Sequence, residues 1–399
     1  MTIWQRTAWW QDSGALRRLI TDLAGAELNR LHPAERPMTW PAAAGLPPMT
    51  PAEQAAVGAA ITRFFCLADD TPVAAALQQP DWLAALQAVL QGGPGDLGFL
   101  TSGSSGEPKP VRQPWSRLDE EAAFQLELQG HAPRIVSLVP AHHIYGYMFT
   151  VLLPYRYAAP VLDLRDRRPA AIIAALQPGD LVVGFPQIWR TLAQSALQSG
   201  RPIPPDVRGI TSTAPCPPDT ARLVRAAGFA RLVELYGSSE TMGIGWRDDP
   251  AQPYTLFPYW RLEADAATLH HRTRDFTLAL PDRIETTTPD GQHFVVRGRH
   301  DGAIQIGGIN VHPGRVADLL RNHPGIADVA VRPYRAGPTL RLKAFIVPAA
   351  ADADTTALRG EIEAWLRSRL PAIERPRSLT LGPALPQGTM GKLADWEIG

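Results

Sequence analysis

Lysine is nearly missing from this 399-residue chain: Lys109, Lys343 and Lys392 are the only three, and the rest of its 39 basic residues are Arg. Arg is a flat fork with delocalised charge, whereas Lys is a compact ammonium on a flexible stem. Where Arg is the default cation, a Lys marks a place that wants a point charge. Cysteine is equally scarce, and Cys66 and Cys216 lie far apart. They form no CxxC or Cys/His ligand spacing, which excludes a disulfide framework and a zinc site and fits a reducing cytoplasm. The adjacent pairs His142/His143 and His270/His271 lack an i,i+4 partner, so they do not read as a metal site either. Net charge is absent too: 39 acidic residues balance the basic ones, and nothing points to nucleic acid. The most apolar run, "IVSLVPAHHIYGYMFTVLLPY", is broken by Pro140 and two histidines, and "MTIWQRTAWWQDSG" has no continuous apolar core. Neither reads as a spanning helix or a signal peptide, which predicts a soluble, cytoplasmic protein with no membrane partner.

What is present begins with "FLTSGSSGEPKPVRQPW", residues 99 to 115. The short apolar run "LGFL" reads as a buried strand, "TSGSSGEPK" as a loop, and "SRLDEEAAFQLELQG" as a helix with a Ser116/Asp119 cap and an end at Gly130. A Gly/Ser/Thr loop between strand and helix turns N–H groups and hydroxyls onto a phosphate chain, and Lys109 adds charge. A solvent-exposed linker is the plainer alternative. A Walker A loop is excluded, because Pro108 precedes the Lys and no Ser or Thr follows it.

Length predicts more than one domain. Residues 1–96 carry helical patterns around a Pro-rich segment. From 97 to about 298, apolar runs such as "RIVSLV", "DLVVGF", "RGITST" and "RLVELY" alternate with helical segments. Such alternation predicts an α/β domain of parallel or mixed sheet with crossover helices. After 301, "DVAVRPY", "LRLKAFIVP" and "SLTLG" read as strands beside two helices, a small α+β domain. Lys343, in the second of these strands, reads as a solvated residue.

Six stretches recur in a fixed order: "TSGSSGEPK", "VPAHHIYG" (139–146), "STAPCPP" (212–218), "LYGSSET" (235–241), "RGRHDGAIQIGGINVHPGRV" (297–316) and "LPQGTMGK" (385–392). Together they resemble the adenylate-forming enzymes, the superfamily of acyl-CoA synthetases, aryl-acid ligases and adenylation domains, over most of the chain from about Leu97 onward. Two of the three lysines fall where that superfamily keeps functional lysines. The resemblance implies an N-terminal domain over 1–298 with an abbreviated helical subdomain over 1–96, a hinge at 299–301, and a mobile C-terminal domain over 302–399. It also implies ATP, Mg²⁺, and coenzyme A or a carrier-protein phosphopantetheine as thiol acceptor.

Residue roles follow from the resemblance and from charge. Bringing a carboxylate to the α-phosphorus of ATP sets two anions against each other, so donors and cations must offset the growing charge. Thr101, Ser102, Gly103, Ser104, Ser105, Gly106 and Lys109 are the expected phosphate-binding residues. Glu240 is the expected Mg²⁺ ligand, since a hard cation takes oxygen ligands. Lys392 is the expected catalytic lysine, with Lys109 and Glu240 beside it. Ala214, Pro215, Tyr236, Gly237, Asp282 and Arg299 fall on the adenine and ribose side. His143, Ile144, Ser212, Met242, Gly243 and Gly245 fall on the acyl side, where the glycines of "MGIG" are expected to leave room for a flat ring. Asp301, Gly307 and Gly308 belong to the hinge and the thiol tunnel. The chain departs from the family at Trp115, where relatives carry His, at Ser239, usually Thr, and at Gly388, also usually Thr.

The predicted activity is ATP-dependent conversion of a carboxylic acid to its acyl-adenylate with release of pyrophosphate, then transfer to a thiol. An aryl or hydroxyaryl acid is favoured because the pocket segments hold no Asp for an α-ammonium group. A fatty acid is the alternative to the aryl acid, an acyl carrier protein the alternative to coenzyme A as acceptor and partner, and a non-catalytic acyl-adenylate-binding regulator the alternative from another class.

Overall fold

A computed structural model describes residues 8–32, 45–93, 95–101, 109–263, 266–307, 309–337, 339–350, 352, 354–387 and 393–398. Helices come first: α1 (Ser13–Leu31), α2 (Pro51–Phe64), α3 (Val73–Leu77) and α4 (Trp82–Val89). The Asp12 carboxylate caps α1 by accepting from the Ala15 N–H. Thr50 and Glu53 close a reciprocal capping box on α2, so two otherwise orphaned N–H groups are met.

The strands β1 (Asp96–Thr101) and β2 (Lys109–Pro114) form an antiparallel hairpin, which corrects the expectation of a strand–loop–helix unit. Thr101 pairs with Lys109, so the loop joins strand to strand. Two prolines in "KPVRQP" hid β2, yet Pro is tolerated on a two-stranded edge where its missing N–H goes unused. The next helix, α5 (Trp115–Gln129), starts at Trp115 behind Pro114 and has no side-chain cap. Ser116 Oγ instead accepts from Arg274, and Asp119 pairs with Arg156. Gly130 does end the helix, at φ +68°.

The central sheet is built from β3 (Ile135–Ser137), β4 (Val161–Asp163), β5 (Leu181–Gly184), β6 (Arg208–Thr211), β7 (Arg231–Ser238), β8 (Met242–Arg247) and β9 (Tyr254–Leu256). A small antiparallel sheet of β10 (Trp260–Leu262), β11 (Thr268–His271) and β12 (Thr277–Ala279) follows. Then β13 (Asp282–Thr286) and β14 (His293–Arg299) return to the central sheet, whose order is β13-β14-β9-β8-β7-β6-β5-β3-β4. The run β4-β3-β5-β6-β7 is parallel, and the pairs beyond β7 are antiparallel. Strands such as "IVS" and "LVVG" are buried on both faces, as parallel strands under crossover helices are.

A separate core begins after β14. It holds β15 (Ile304–Ile306), β16 (Ile309–Val311), β17 (Ile326–Ala336), β18 (Thr339–Pro348), β19 (Ser378–Leu381) and the helices Pro313–Arg321 and Thr355–Arg367. Its buried cluster runs from Ile306 to Leu379 and shares no member with the core under the large sheet. Lys343 is not solvated. It is buried, donates to the Trp396 carbonyl and pairs with Asp395 at 2.8 Å.

Candidate active site

Parallel strands place the loops that follow them at one edge of the sheet, the usual location of ligand sites in α/β folds. Here β3, β5, β6 and β7 are adjacent and in register, so segments 139–146, 212–217 and 238–241 emerge side by side. Three of the six sequence motifs therefore converge. Each is fastened. Asp22 on α1 is buried, accepts from the Ala141 N–H at 2.6 Å and pairs with Arg165 at 2.8 Å. Burial raises the Asp22 pKa, with Arg165 opposing. The Tyr145 hydroxyl is shared between the Gly184 carbonyl at the end of β5 and the Ile210 carbonyl one residue before the end of β6. Ser212 Oγ donates to the Leu235 carbonyl at 3.0 Å.

The turn after β6 is held from beneath by Glu234. Its carboxylate, 2% exposed, accepts from the Cys216 N–H at 2.9 Å, from Tyr254 at 2.7 Å and from Arg247 at 2.7 Å. Burial first, and Glu234 second, push the Cys216 thiol up to about 12, so it is an inert packing group. Thr213 within the turn sits at φ +72°, a strained value for a β-branched residue that persists only where surroundings over-determine it. Ala214 is half-buried and Pro215 exposed.

On the neighbouring strand, the Tyr236 hydroxyl donates to the Asp282 carboxylate, and Asp282 pairs in register with Arg299 across β13 and β14. Arg299 makes a two-point ion pair with Asp301 at 2.9 Å on both arms. That pair holds the Asp301 carboxyl down at about 2. Burial raises the Asp282 pKa, against the pull of Tyr236 and Arg299. Asp301 is the carboxylate that Arg299 pairs with, and Asp282 and Glu240 add a weaker, longer-range pull that also raises the Arg299 pKa. Gly237 permits this geometry: a Cβ there would lie 2.1 Å from the Met242 carbonyl oxygen across a bulge in the β7–β8 pairing.

Glu240 is exposed in the turn between β7 and β8. Among the described residues no group of three or more His, Cys, Asp or Glu forms a metal cage. One free carboxylate suits Mg²⁺, which binds through one or two carboxylates and otherwise keeps waters and substrate phosphates.

On the acyl side, His143 is solvent-accessible yet surrounded by protein, and that surrounding lowers its imidazole pKa and favours the neutral ring. Ile144 opens the helix beside it. Met242 is buried at φ +62°. The room expected beside Gly243 and Gly245 is filled by protein. A Cβ on Gly243 would lie 2.3 Å from Phe257 and 2.7 Å from Glu121, and one on Gly245 would lie 2.7 Å from Phe294. These glycines admit core rings rather than a substrate ring. Gly307 lies on the β15–β16 turn at φ +59°. Residues 102–108, Gly308, Lys392 and the side chains of Thr101 and Lys109 lie outside the described structure. Asp22 and Glu234 were not foreseen, because their partners lie on distant strands and no spacing announces them.

A mixed sheet with crossover helices, followed by a separate small α+β core, is the architecture into which these motifs fall. The chain belongs to the AMP-binding enzyme family: that family's model matches residues 69–260, and its C-terminal domain model matches 315–392. It is 40% identical over 299 residues to a 4-coumarate–CoA ligase of Halorhodospira halophila, covering 74% of each chain. A 4-coumarate–CoA ligase of Rhodobacter capsulatus is also 40% identical, over 303 residues and 75% of each. Among solved structures, an amide bond synthetase of Marinactinospora thermotolerans aligns with TM-score 0.63 at 19% identity, covering 95% of this chain and 92% of that one. An o-succinylbenzoate–CoA synthetase of Bacillus subtilis gives TM-score 0.59 at 18% identity, over 74% and 67%. No helix among the described residues is long and apolar enough to cross a membrane.

Proposed function

We propose that this chain is an ATP-dependent ligase that activates an aryl or hydroxyaryl carboxylic acid and passes it to coenzyme A. The observation that carries the reading is the Asp282 carboxylate at the sheet edge, which accepts from the Tyr236 hydroxyl beside the Arg299–Asp301 ion pair. A carboxylate held by a hydroxyl, with lone pairs left over, suits a ribose diol. The 40% identity to 4-coumarate–CoA ligases supports the aryl acid and the coenzyme A acceptor.

In the first half-reaction an oxygen of the acid's carboxylate bonds to the α-phosphorus, and the bond from that phosphorus to the bridging oxygen breaks as pyrophosphate leaves. Lys109 and the donors of 101–106 are assigned to phosphate binding, and Lys392 to offsetting the repulsion between carboxylate and α-phosphate. Glu240 would hold Mg²⁺, which would supply further charge stabilisation at the phosphates. Asp282 fixes the ribose, and Thr213–Pro215 flank the adenine. Neutral His143 and Ile144 line the acid. In the second half-reaction the thiol loses its proton and its sulfur attacks the acyl carbon, expelling AMP, with Gly307 and Gly308 along the pantetheine path.

The test is acid-dependent ATP–pyrophosphate exchange over benzoates, hydroxybenzoates, cinnamates and fatty acids, with thioester formation on coenzyme A and on a carrier protein. Exchange led by a cinnamate or hydroxybenzoate, with coenzyme A accepted, is expected. Exchange with fatty acids alone would reject the aryl substrate, and no exchange with any acid would leave a binder rather than an enzyme.

A further inference from the structure

One face of α5 is polar where it should be apolar. Gln113, Arg117, Glu121, Gln125 and Gln129 recur every fourth residue, so from Arg117 onward they share a helix face. Gln113, Glu121, Gln125 and Gln129 are all buried. Buried polar groups are kept where they have partners, and the first three members find theirs on one short segment, Ser239 to Gly243. The Gln113 side-chain amide donates to the Ser239 carbonyl and to the Glu240 carbonyl at 3.2 Å. Gln113 in turn accepts from Arg117 Nη1 at 2.9 Å. Arg117 Nη2 donates to the Thr241 carbonyl at 2.8 Å. The Glu121 carboxylate accepts from the Gly243 N–H at 2.8 Å. Three side chains thus take four backbone groups of the turn in sequence order, around Met242 in its strained conformation. Gln113 stands on β2, the strand that begins at Lys109, so the same ladder meets the end of the phosphate loop.

We propose that Gln113, Arg117 and Glu121 are positioning residues for adenylation: they fix the turn that presents Glu240 and tie it to the strand leaving the phosphate loop. This rests on reading Glu240 as the carboxylate on the metal side. A purely structural ladder would change stability alone. A positioning ladder changes how ATP responds to Mg²⁺.

The experiment measures ATP binding by calorimetry with and without Mg²⁺, and the Mg²⁺ dependence of pyrophosphate exchange, in Gln113→Leu, Arg117→Met, Arg117→Lys and Glu240→Gln. In Gln113→Leu the affinity that Mg²⁺ adds to ATP falls, and half-saturating Mg²⁺ rises about tenfold, the effect of losing well-placed donors. KM for the acid stays put. Arg117→Lys recovers part of what Arg117→Met loses. Wild-type Mg²⁺ dependence in folded Gln113→Leu and Arg117→Met, beside its loss in Glu240→Gln, would overturn the proposal. Loss in Gln113→Leu with wild-type dependence in Glu240→Gln would remove Glu240 from the metal and overturn the proposal together with the reading it rests on. Should Gln113→Leu not fold, unchanged Mg²⁺ dependence in Arg117→Met overturns the proposal by itself.

Discussion

Alternation along "LRLKAFIVP" reads Lys343 as a surface residue because it gives no sign of a partner 53 residues on. Its ammonium is buried under Trp396, 4.8 Å from the ring centroid, and pins the chain just after Lys392. Arg332 holds the same segment through the Leu393 carbonyl at 2.8 Å. Lys343→Met removes a buried hydrogen bond and an ion pair, a loss of about 1–3 kcal/mol. Urea denaturation followed by Trp fluorescence checks it, and an unchanged midpoint would return Lys343 to the surface. At the nucleotide side, Tyr236→Phe takes away the one hydroxyl that orients Asp282. KM for ATP is expected to rise several-fold, roughly the worth of a hydrogen bond to a charged group, with KM for the acid unchanged. Glu240→Gln and Lys109→Ala should both weaken adenylation without unfolding, the Lys variant less. Full exchange in Glu240→Gln would end the metal assignment.

Among the elements, α5 was legible as a helix but not as a polar wedge. A polar residue every fourth position reads as a solvated face, and only the 239–243 turn beneath it reverses that. Glu121 carries the largest consequence. Burial pushes its carboxyl up to about 7, against Gly243 N–H, Arg117 and Gln125. Glu120, Tyr259 and His271 line the same small cavity of about 10 Å³. Between the ordinary glutamate range and pH 7 the native state binds a proton that the unfolded chain has released. Stability therefore falls as pH rises through that window, by up to about 3 kcal/mol. Relative to Glu121→Gln, wild type should lose stability from pH 5 to pH 8, and parallel melting profiles would show that Glu121 is ionised throughout. The strand glycines carry a second consequence. Because Phe257 and Phe294 fill their side, Gly243→Ala costs about 1–3 kcal/mol by overpacking, read as a lower urea midpoint. The alternation of β5, β6 and β7 with crossover helices was plain in the sequence, since buried parallel strands are continuous apolar runs. The β1–β2 hairpin was not, because its second strand is written in Pro, Arg and Gln.

Among the described residues, two buried clusters pack against the large sheet and a third forms the small C-terminal core, and the chain passes to the latter through 299–302, where Gly298 at φ +114° and Gly302 at φ +70° flank the Arg299–Asp301 pair. The six motifs were readable in order from the sequence, and the sheet explains why three of them meet. Long-range anchors such as Asp22 and Glu234 were not readable, since their partners are set by topology. On the proposed reading, Lys109 and Lys392 serve one reaction from different domains, which requires the small domain to close on the large one. Lys392 would then act where carboxylate meets phosphate, a repulsion that thioester formation lacks. The measurement is single-turnover thioester formation from synthetic acyl-adenylate, run beside pyrophosphate exchange on wild type, Lys392→Ala and Gly308→Trp. Wild type performs both, Lys392→Ala loses exchange but still makes thioester, and Gly308→Trp does the reverse. Equal loss of both half-reactions in a folded Lys392→Ala would contradict the account of one site served in turn by two conformations.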